Sequence, residues 1–426
     1  MRVAFLLDTF PKTSETFFVS QIVGLIERGH SVDIFARYRN RGEPVHPEVE
    51  KHQLLKRTQY LIPESRQGRL VAAGKIFLEL AWSRPLELLR LLNPFRHRAS
   101  GNDLEILYCT NVLRKAPVYD IVHCHFGPIG VLGQQLRERG AVRGPLLTTF
   151  HGYDIGSYVA QHGSAVYTEL FRQGDAFTCS SKFIREKLIA AGCDPAKIIL
   201  FKLGTDITKF DFVERSAVSD ETIRLITVAR LVEKKGLEYS IKAIASLVRR
   251  FPQLEYTIVG DGPLRDTLSA LITQLNLQPY VKLAGWKTQE EVQRLFAQSH
   301  IFVLASVLSS NGDFEGQGTV LQEAQATGLP IVCTNHNGFP DSILDGQSGF
   351  LVPERDAEAL AAKLAELIYR PEQRLEMGRK GRAFVETEFD LRKRNDALVE
   401  LYRRIRTWQS ADSRPEPLPQ RAQLSV

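Results

Sequence analysis

The strongest constraint on the fold is a series of short apolar runs separated by helical stretches, which begins at residue 2 and restarts near Ile223. Residues 2–7 read as a strand, 8–15 as a polar loop, 16–28 as a helix by its apolar spacing, and 31–36 as a second strand. That β-loop-α-β order opens a doubly wound parallel sheet. Strands at 120–126 and 145–150 continue it, a strand at 175–180 with a helix reaching Ala191 adds a unit, and 198–203 is the last strand. The polar stretch 213–222 reads as a hinge. Beyond it, strands are expected at 225–228, 256–259, 281–284, 301–305, 331–334 and 350–352, with helices between. The fold class is α/β, with two Rossmann-like domains in tandem over 1–210 and 211–390. Helices at 356–369, 371–387 and about 391–407 follow, and 410–426, with three prolines and many polar residues, reads as a disordered tail.

Charge and cysteine usage narrow the classes of partner. A net charge of +6 suits an anionic substrate or an anionic membrane surface and does not demand nucleic acid. Five scattered cysteines without a CxxC pair fit reduced thiols better than a disulfide framework or a zinc site. The opening MRVAFLLDTF reads as a strand broken by Asp8 and not as a signal peptide, and no apolar run is long enough to span a bilayer, so a cytoplasmic location is expected. Residues 54–100 differ in texture: Lys56, Arg57, Arg66, Arg69, Lys75, Arg84, Arg90, Arg96 and Arg98 interleave with Phe77, Trp82 and Phe95. Such helices lie on anionic membranes, and equally pack between domains with a solvated basic face.

The chemistry concentrates in residues 311–330, NGDFEGQGTVLQEAQATGLP, where Glu315 and Glu323 stand eight residues apart around a Gly-Gln-Gly-Thr turn. A buried strand precedes the stretch, a helix carries its second half, and Gly328-Leu329-Pro330 stops that helix. Both carboxylates then lie near the mouth outside the strand ends, where open α/β sheets bind ligands. Glycines allow close backbone approach, and first-turn amides favour an anion or a cluster of hydroxyls. Carboxylates beside such amides suit a sugar nucleotide; taken alone, the stretch reads equally well as a surface loop with two solvated glutamates. In the second domain, VARLVEKKG places Arg230 at a strand end and Lys235 at the start of a helix, two cations able to clamp a diphosphate. In the first, DIVHCHF ends in His123 and His125 on one face, and the next strand leads into His151-Gly152-Tyr153-Asp154. A metal pair at the two histidines lacks a third ligand at suitable spacing, and one of them reads as structural. His151, in a loop beside Gly and Asp, is the better candidate for chemistry. The first loop lacks GxGxxG, and Ser14-Glu15-Thr16 is expected to cap its helix.

Together ARLVEKKGLEYSIKA, YTIVGDGP, VKLAGW and EGQGTVLQEAQATGLPIV resemble the second domain of the retaining family-4 glycosyltransferases of the GT-B fold, with E-x7-E at Glu315 and Glu323. FPKTSETF, HCHFG and TFHGYD are similar to the branch that builds exopolysaccharides such as colanic acid. The resemblance covers about residues 1–405 and implies a donor-binding second domain, an acceptor-binding first domain, and a last helix near 391–407 that crosses back to the first. It implies that Glu323 holds the ribose hydroxyls and that Glu315 meets donor-sugar hydroxyls with the amides of Gly316, Gln317, Gly318 and Thr319. It further implies that Arg230 and Lys235 neutralise the departing diphosphate, that backbone near Trp286 and Lys287 reads the base, and that His151 touches the donor sugar. Asp154, His125 and the Ser14-Glu15-Thr16 loop would face the acceptor or the phosphates. Many relatives carry Gly-Gly in that first loop; Lys12-Thr13-Ser14-Glu15 stands in its place, which makes an acceptor role for Glu15 plausible.

The implied reaction is transfer of a hexose, glucose from UDP-glucose, with retention and without metal or other cofactor. The implied acceptor is a lipid-linked or growing exopolysaccharide at the inner face of the plasma membrane. Two alternatives remain open at this stage. One is a sugar-nucleotide epimerase on the same fold, which would need a pair of acids placed for elimination. The other is a non-catalytic sugar-nucleotide or polysaccharide-binding regulator, which would tolerate loss of Arg230 and Lys235.

Overall fold

The structure, a computed structural model, describes residues 1–12, 15–40, 42, 45–83, 103–215 and 222–408. Ser14, part of the polar hinge (216–221), residues 84–100 of the basic segment and the tail 410–426 lie outside them.

Two parallel sheets form the frame. The first runs through β1 (Arg2–Phe10), β2 (Ser31–Arg39), β3 (Thr58–Tyr60), β4 (Ile121–His125), β5 (Leu146–Phe150), β6 (Ala176–Cys179) and β7 (Ile198–Leu200), in the order β3-β2-β1-β4-β5-β6-β7. The second contains β8 (Ile223–Val228), β9 (Leu254–Val259), β10 (Val281–Gly285), β11 (Ile301–Leu304), β12 (Ile331–Thr334) and β13 (Gly349–Val352), in the order β10-β9-β8-β11-β12-β13. β4, β5, β11 and β12 are buried along their whole length, as strands covered by helices on both faces must be. Each sheet reverses its winding once, between β1 and β4 and between β8 and β11, and these reversals are where a doubly wound sheet opens a crevice.

The first strand is longer than its sequence implies. β1 continues past Asp8 to Phe10, which pairs with Arg39 of β2. Asp8 does not break it because its side chain points out and meets Arg37 at 3.0 Å. The expected cap of the helix Thr16–Glu27 also differs: Glu15 holds the N-cap position but makes no capping hydrogen bond there, and its carboxylate meets Lys12 Nζ at 2.6 Å.

The helix Leu391–Trp408 packs on the first sheet, with Leu398, Tyr402 and Ile405 buried beside Phe5, Ile22 and Val3. Gly24 lets it come close, because a Cβ there would lie 2.0 Å from Asn395 Nδ2. Tyr402 donates or accepts a 2.7 Å hydrogen bond with His123 Nδ1, and His123 Nε2 meets Thr149 Oγ1 at 2.6 Å. His123 is therefore a satisfied core histidine that fastens the last helix to β4 and β5.

The helix Arg66–Ser83 leaves Leu70, Val71, Phe77, Leu78 and Trp82 exposed, the last 94% so. No described helix is long and apolar enough to cross a membrane. All five cysteines are buried and unpaired.

Candidate active site

The second sheet's reversal places the loop after β8 beside the loop after β11. The first loop brings Lys234 and Lys235, the second Asp313 and Glu315. Lys235 Nζ lies 2.9 Å from Glu315 Oε2, and Lys234 Nζ lies 3.3 Å from Glu315 Oε1 and 3.1 Å from Asp313 Oδ2. Burial works to raise the Glu315 carboxyl, but the two ammonium groups outweigh it and hold it down at about 2. Glu315 is thus a fixed anion between two cations. Arg230 stands apart from this cluster: it is exposed and forms no ion pair with a described residue.

Beyond Glu315 the chain enters the helix Thr319–Ala326 through Gly318, whose φ of +71° and 2.6 Å clearance from the Phe339 ring both exclude a side chain. Among the described residues no side chain caps this helix; Leu321 N–H bonds to the Gly318 carbonyl at 2.9 Å, which leaves the amides of Thr319 and Val320 for another acceptor. Glu323 lies in the middle of the helix; its carbonyl accepts from Thr327, and its carboxylate makes no hydrogen bond or ion pair with a described residue. Burial pushes its carboxyl up to about 7, with Lys209 pulling the other way. A partly buried carboxylate without a donor is poorly solvated, and hydroxyl groups of a ligand would supply what it lacks.

The first domain reaches this site through the loop after β5. Gly316 lies against it so closely that a Cβ would sit 2.1 Å from the His151 carbonyl oxygen. Phe314, beside Glu315, is buried in the first domain's core and stacks edge-on to Phe183 at 5.1 Å. His151 is therefore brought to the Glu315 loop across the domain boundary. Its Nε2 lies 3.0 Å from His125 Nδ1, and its ring is flanked by Phe17 and Phe126. Burial drives His151 down to about 3 and His125 well below its ordinary range, so both rings are neutral at neutral pH.

Several expected contacts are spent elsewhere. Asp154 is wholly buried; Oδ2 accepts from Gly127 N at 2.9 Å, and Oδ1 accepts from Gly152 N at 2.9 Å and His151 N at 3.1 Å. Burial pushes its carboxyl up to about 6 against those three amides. It shapes the histidine loop instead of facing an acceptor. His125 is likewise fully buried, sandwiched among Phe5, Phe18 and His151, and it supports His151 rather than facing a ligand. The Gln317 amide bridges to the first domain: Oε1 accepts from Leu203 N at 2.8 Å and Nε2 donates to Leu203 O at 3.0 Å. Its backbone carbonyl accepts from Ser342 Oγ at 2.7 Å, so only its backbone N–H is left for the sugar nucleotide. Trp286 is exposed at the end of β10, and Lys287 pairs with Glu291 at 3.1 Å. Thr16 opens its helix beside Phe17, which packs on His151 at 4.4 Å between ring centres. Among the described residues, no group of three His, Cys, Asp or Glu side chains is arranged to hold a metal ion.

Lys234, Phe314 and His336 also line the site; the first two carry no signal of their own in the sequence, and His336 carries one. Lys234 sits next to a lysine already chosen, and Phe314 looks like any apolar residue until the two domains meet. His336 follows β12 in an NHNGFPD turn, a strand-end histidine like His151.

Two Rossmann-like domains joined through such a loop define the class, the GT-B glycosyltransferase arrangement. The first half of the chain, residues 14–209, matches the family described as Glycosyltransferase Family 4, and residues 209–384 match Glycosyl transferases group 1. A protein named as a colanic acid biosynthesis glycosyltransferase, WcaL of Salmonella typhimurium, is 37% identical over 86% of this chain and 90% of its own. The amylovoran biosynthesis glycosyltransferase AmsK of Erwinia amylovora is 34% identical over 95% of this chain and 100% of its own. The crystal structure of Anabaena HepE in complex with UDP superposes with a TM-score of 0.70 at 18% identity, covering 96% of this chain and 100% of that one. The chain belongs to the family-4 glycosyltransferases.

Proposed function

We propose that this enzyme transfers a hexose from a UDP-sugar, glucose from UDP-glucose, onto a lipid-linked or growing exopolysaccharide. The transfer keeps the anomeric configuration and needs no metal. The observation that carries the donor side is the contrast between two glutamates on one loop and helix. Glu315 is fixed between two lysines, whereas the Glu323 carboxylate has no donor among the described residues. In this reading Glu323 receives the ribose hydroxyls, and the open amides ahead of it receive sugar or phosphate oxygens. Arg230, exposed and without an ion pair among the described residues, meets the diphosphate, and Lys235 shares its charge between Glu315 and the leaving phosphate. Neutral His151 offers a hydrogen bond to the sugar and does not act as a proton-accepting base, since burial holds it far from protonation at neutral pH. The departing phosphate, held on the acceptor's face, takes the acceptor proton. Closure of the first domain over the second excludes water from the reacting bond.

Support for UDP comes from the HepE structure, a complex with that nucleotide, and support for an exopolysaccharide product from WcaL and AmsK, glycosyltransferases of colanic acid and amylovoran biosynthesis. The exposed apolar residues of the helix Arg66–Ser83, next to Arg69 and Lys75, support a peripheral seat on the inner face of the plasma membrane. The test is transfer from radiolabelled UDP-, GDP- and ADP-hexoses to membrane lipid extracts, in chelator, with the anomeric configuration of the product read by NMR. Transfer from a UDP-hexose with retention supports the reading. An inverted product, strict metal dependence or use of another nucleotide overturns the corresponding part.

A further inference from the structure

His336 is completely buried just past the end of β12, and none of the contacts proposed above uses it. Its Nδ1 lies 2.6 Å from Glu354 Oε1. Its Nε2 faces the backbone N–H of Glu315 at 3.1 Å and the side-chain amide of Asn337 at 3.1 Å. A backbone N–H only donates, so Nε2 must carry a lone pair, and the carboxylate only accepts, so the proton sits on Nδ1. The ring is neutral, with one tautomer fixed from both sides. The other Glu354 oxygen accepts the backbone N–H of Leu308 at 2.9 Å. One carboxylate and one imidazole therefore hold both ends of the 308–315 loop, the segment that delivers Phe314 to the first domain and Glu315 to the lysines.

We propose that the Glu354–His336 pair is a positioning device for the donor site: it clamps the 308–315 loop at both ends and so sets the Glu315 backbone for the sugar nucleotide. The inference rests on the reading of that loop as part of the donor site. The clamp is sensitive to acid. A second proton, on Nε2, would point an N–H at the Glu315 N–H and turn an acceptor into a like dipole. The groups facing His336 are Glu354 from beyond β13, Glu315 from the loop after β11, Lys235 from the loop after β8, and the neutral Asn337 and Phe339 of its own turn. Burial and Lys235 disfavour the second proton, Glu354 and Glu315 favour it, and the balance lies below the usual 6.5. The clamp is therefore complete at neutral pH and released on the acid side.

The test compares wild type, His336→Gln and His336→Phe. UDP-glucose affinity is measured by calorimetry from about pH 8 down to about pH 4, because His336 takes its second proton below the usual imidazole range. In His336→Phe the Glu315 amide is left without its acceptor, and donor binding weakens roughly tenfold or more at neutral pH. His336→Gln recovers most of that loss, because its amide oxygen accepts the same N–H, and it flattens the acid side of the wild-type profile. Wild-type affinity in His336→Phe, or an unchanged acid side in His336→Gln, overturns the proposal. A second measurement needs no donor: nitrogen NMR of labelled histidine in the wild-type protein should show His336 protonated at Nδ1 and bare at Nε2. The opposite tautomer overturns the clamp directly. Wild type that binds no sugar nucleotide yet shows the Nδ1–H tautomer, with faster amide exchange at 308–315 in His336→Phe, supports the clamp and sinks the donor reading instead.

Discussion

Lys235 Nζ lies 2.9 Å from the Glu315 carboxylate, so the cation expected at the leaving phosphate already has an anionic partner. The lysine side chain is only 11% exposed, which keeps its charge close to the site and little screened. Lys235→Ala should lower kcat by about 10²–10³-fold, the usual cost of removing one preorganised stabiliser of developing charge. It should also lower the melting temperature, because Glu315 keeps only Lys234. Steady-state kinetics and thermal melting of the same variant check both. A variant with normal kcat supports the non-catalytic rival instead.

Glu323 supplies a linkage with a definite sign. Its folded-state carboxyl is raised from 4.5 to about 7 by burial, so between those two pH values the folded protein binds more protons than the unfolded chain. The residue therefore costs no stability below its unfolded value of about 4.5, and the cost grows as pH rises through about 7. Glu323→Gln should be more stable than wild type above neutral pH, by at most about 3 kcal/mol, with the difference fading on acidification. Melting curves across pH test it.

The same carboxylate should lose its proton when a donor binds. Ribose hydroxyls donate to the charged form and favour it. Calorimetry at neutral pH in two buffers of different ionisation enthalpy should reveal a proton released on binding in wild type and none in Glu323→Gln.

Asp154 offers a test of its structural role. Asp154→Ala strands three buried or partly buried amides, those of Gly127, His151 and Gly152, at roughly 1–3 kcal/mol for each unsatisfied donor. Asp154→Asn keeps one accepting oxygen and should lose less. Chemical denaturation of the two variants should rank them in that order.

The parallel between sequence and structure is closest where one local pattern decides. Ile331–Thr334 is a strand because four apolar or β-branched residues follow a helix stop at Gly328 and Pro330, and its ends fall where the pattern ends. Glu315 and Glu323 were visible because a glycine-rich turn separates them. What escaped depends on residues far apart in the chain. Asp154 and Gln317 read as ligand contacts because nothing local shows that Gly127 and Leu203 would claim them. His123 reads like His125 until Tyr402, 279 residues on, takes its Nδ1. Asp8 reads as a strand end because its ion pair with Arg37 comes from the neighbouring strand.

The exposed apolar residues of the helix Arg66–Ser83 predict how the protein meets a bilayer. Leu78→Glu and Trp82→Glu replace residues 70% and 94% exposed, so the fold should not change. Binding to anionic vesicles, measured by co-sedimentation, should fall severalfold, and binding of wild type should weaken with salt. Unchanged vesicle binding in both variants would remove this helix from the membrane contact.

The most direct test of the central claim is calorimetric titration of UDP-glucose into the wild-type protein and Glu323→Ala, in chelator. The account predicts metal-independent binding by wild type and a loss of at least tenfold in the variant, as expected when charge-assisted bonds to the ribose are removed. Equal binding by the two proteins, or none by wild type to any sugar nucleotide, would contradict it.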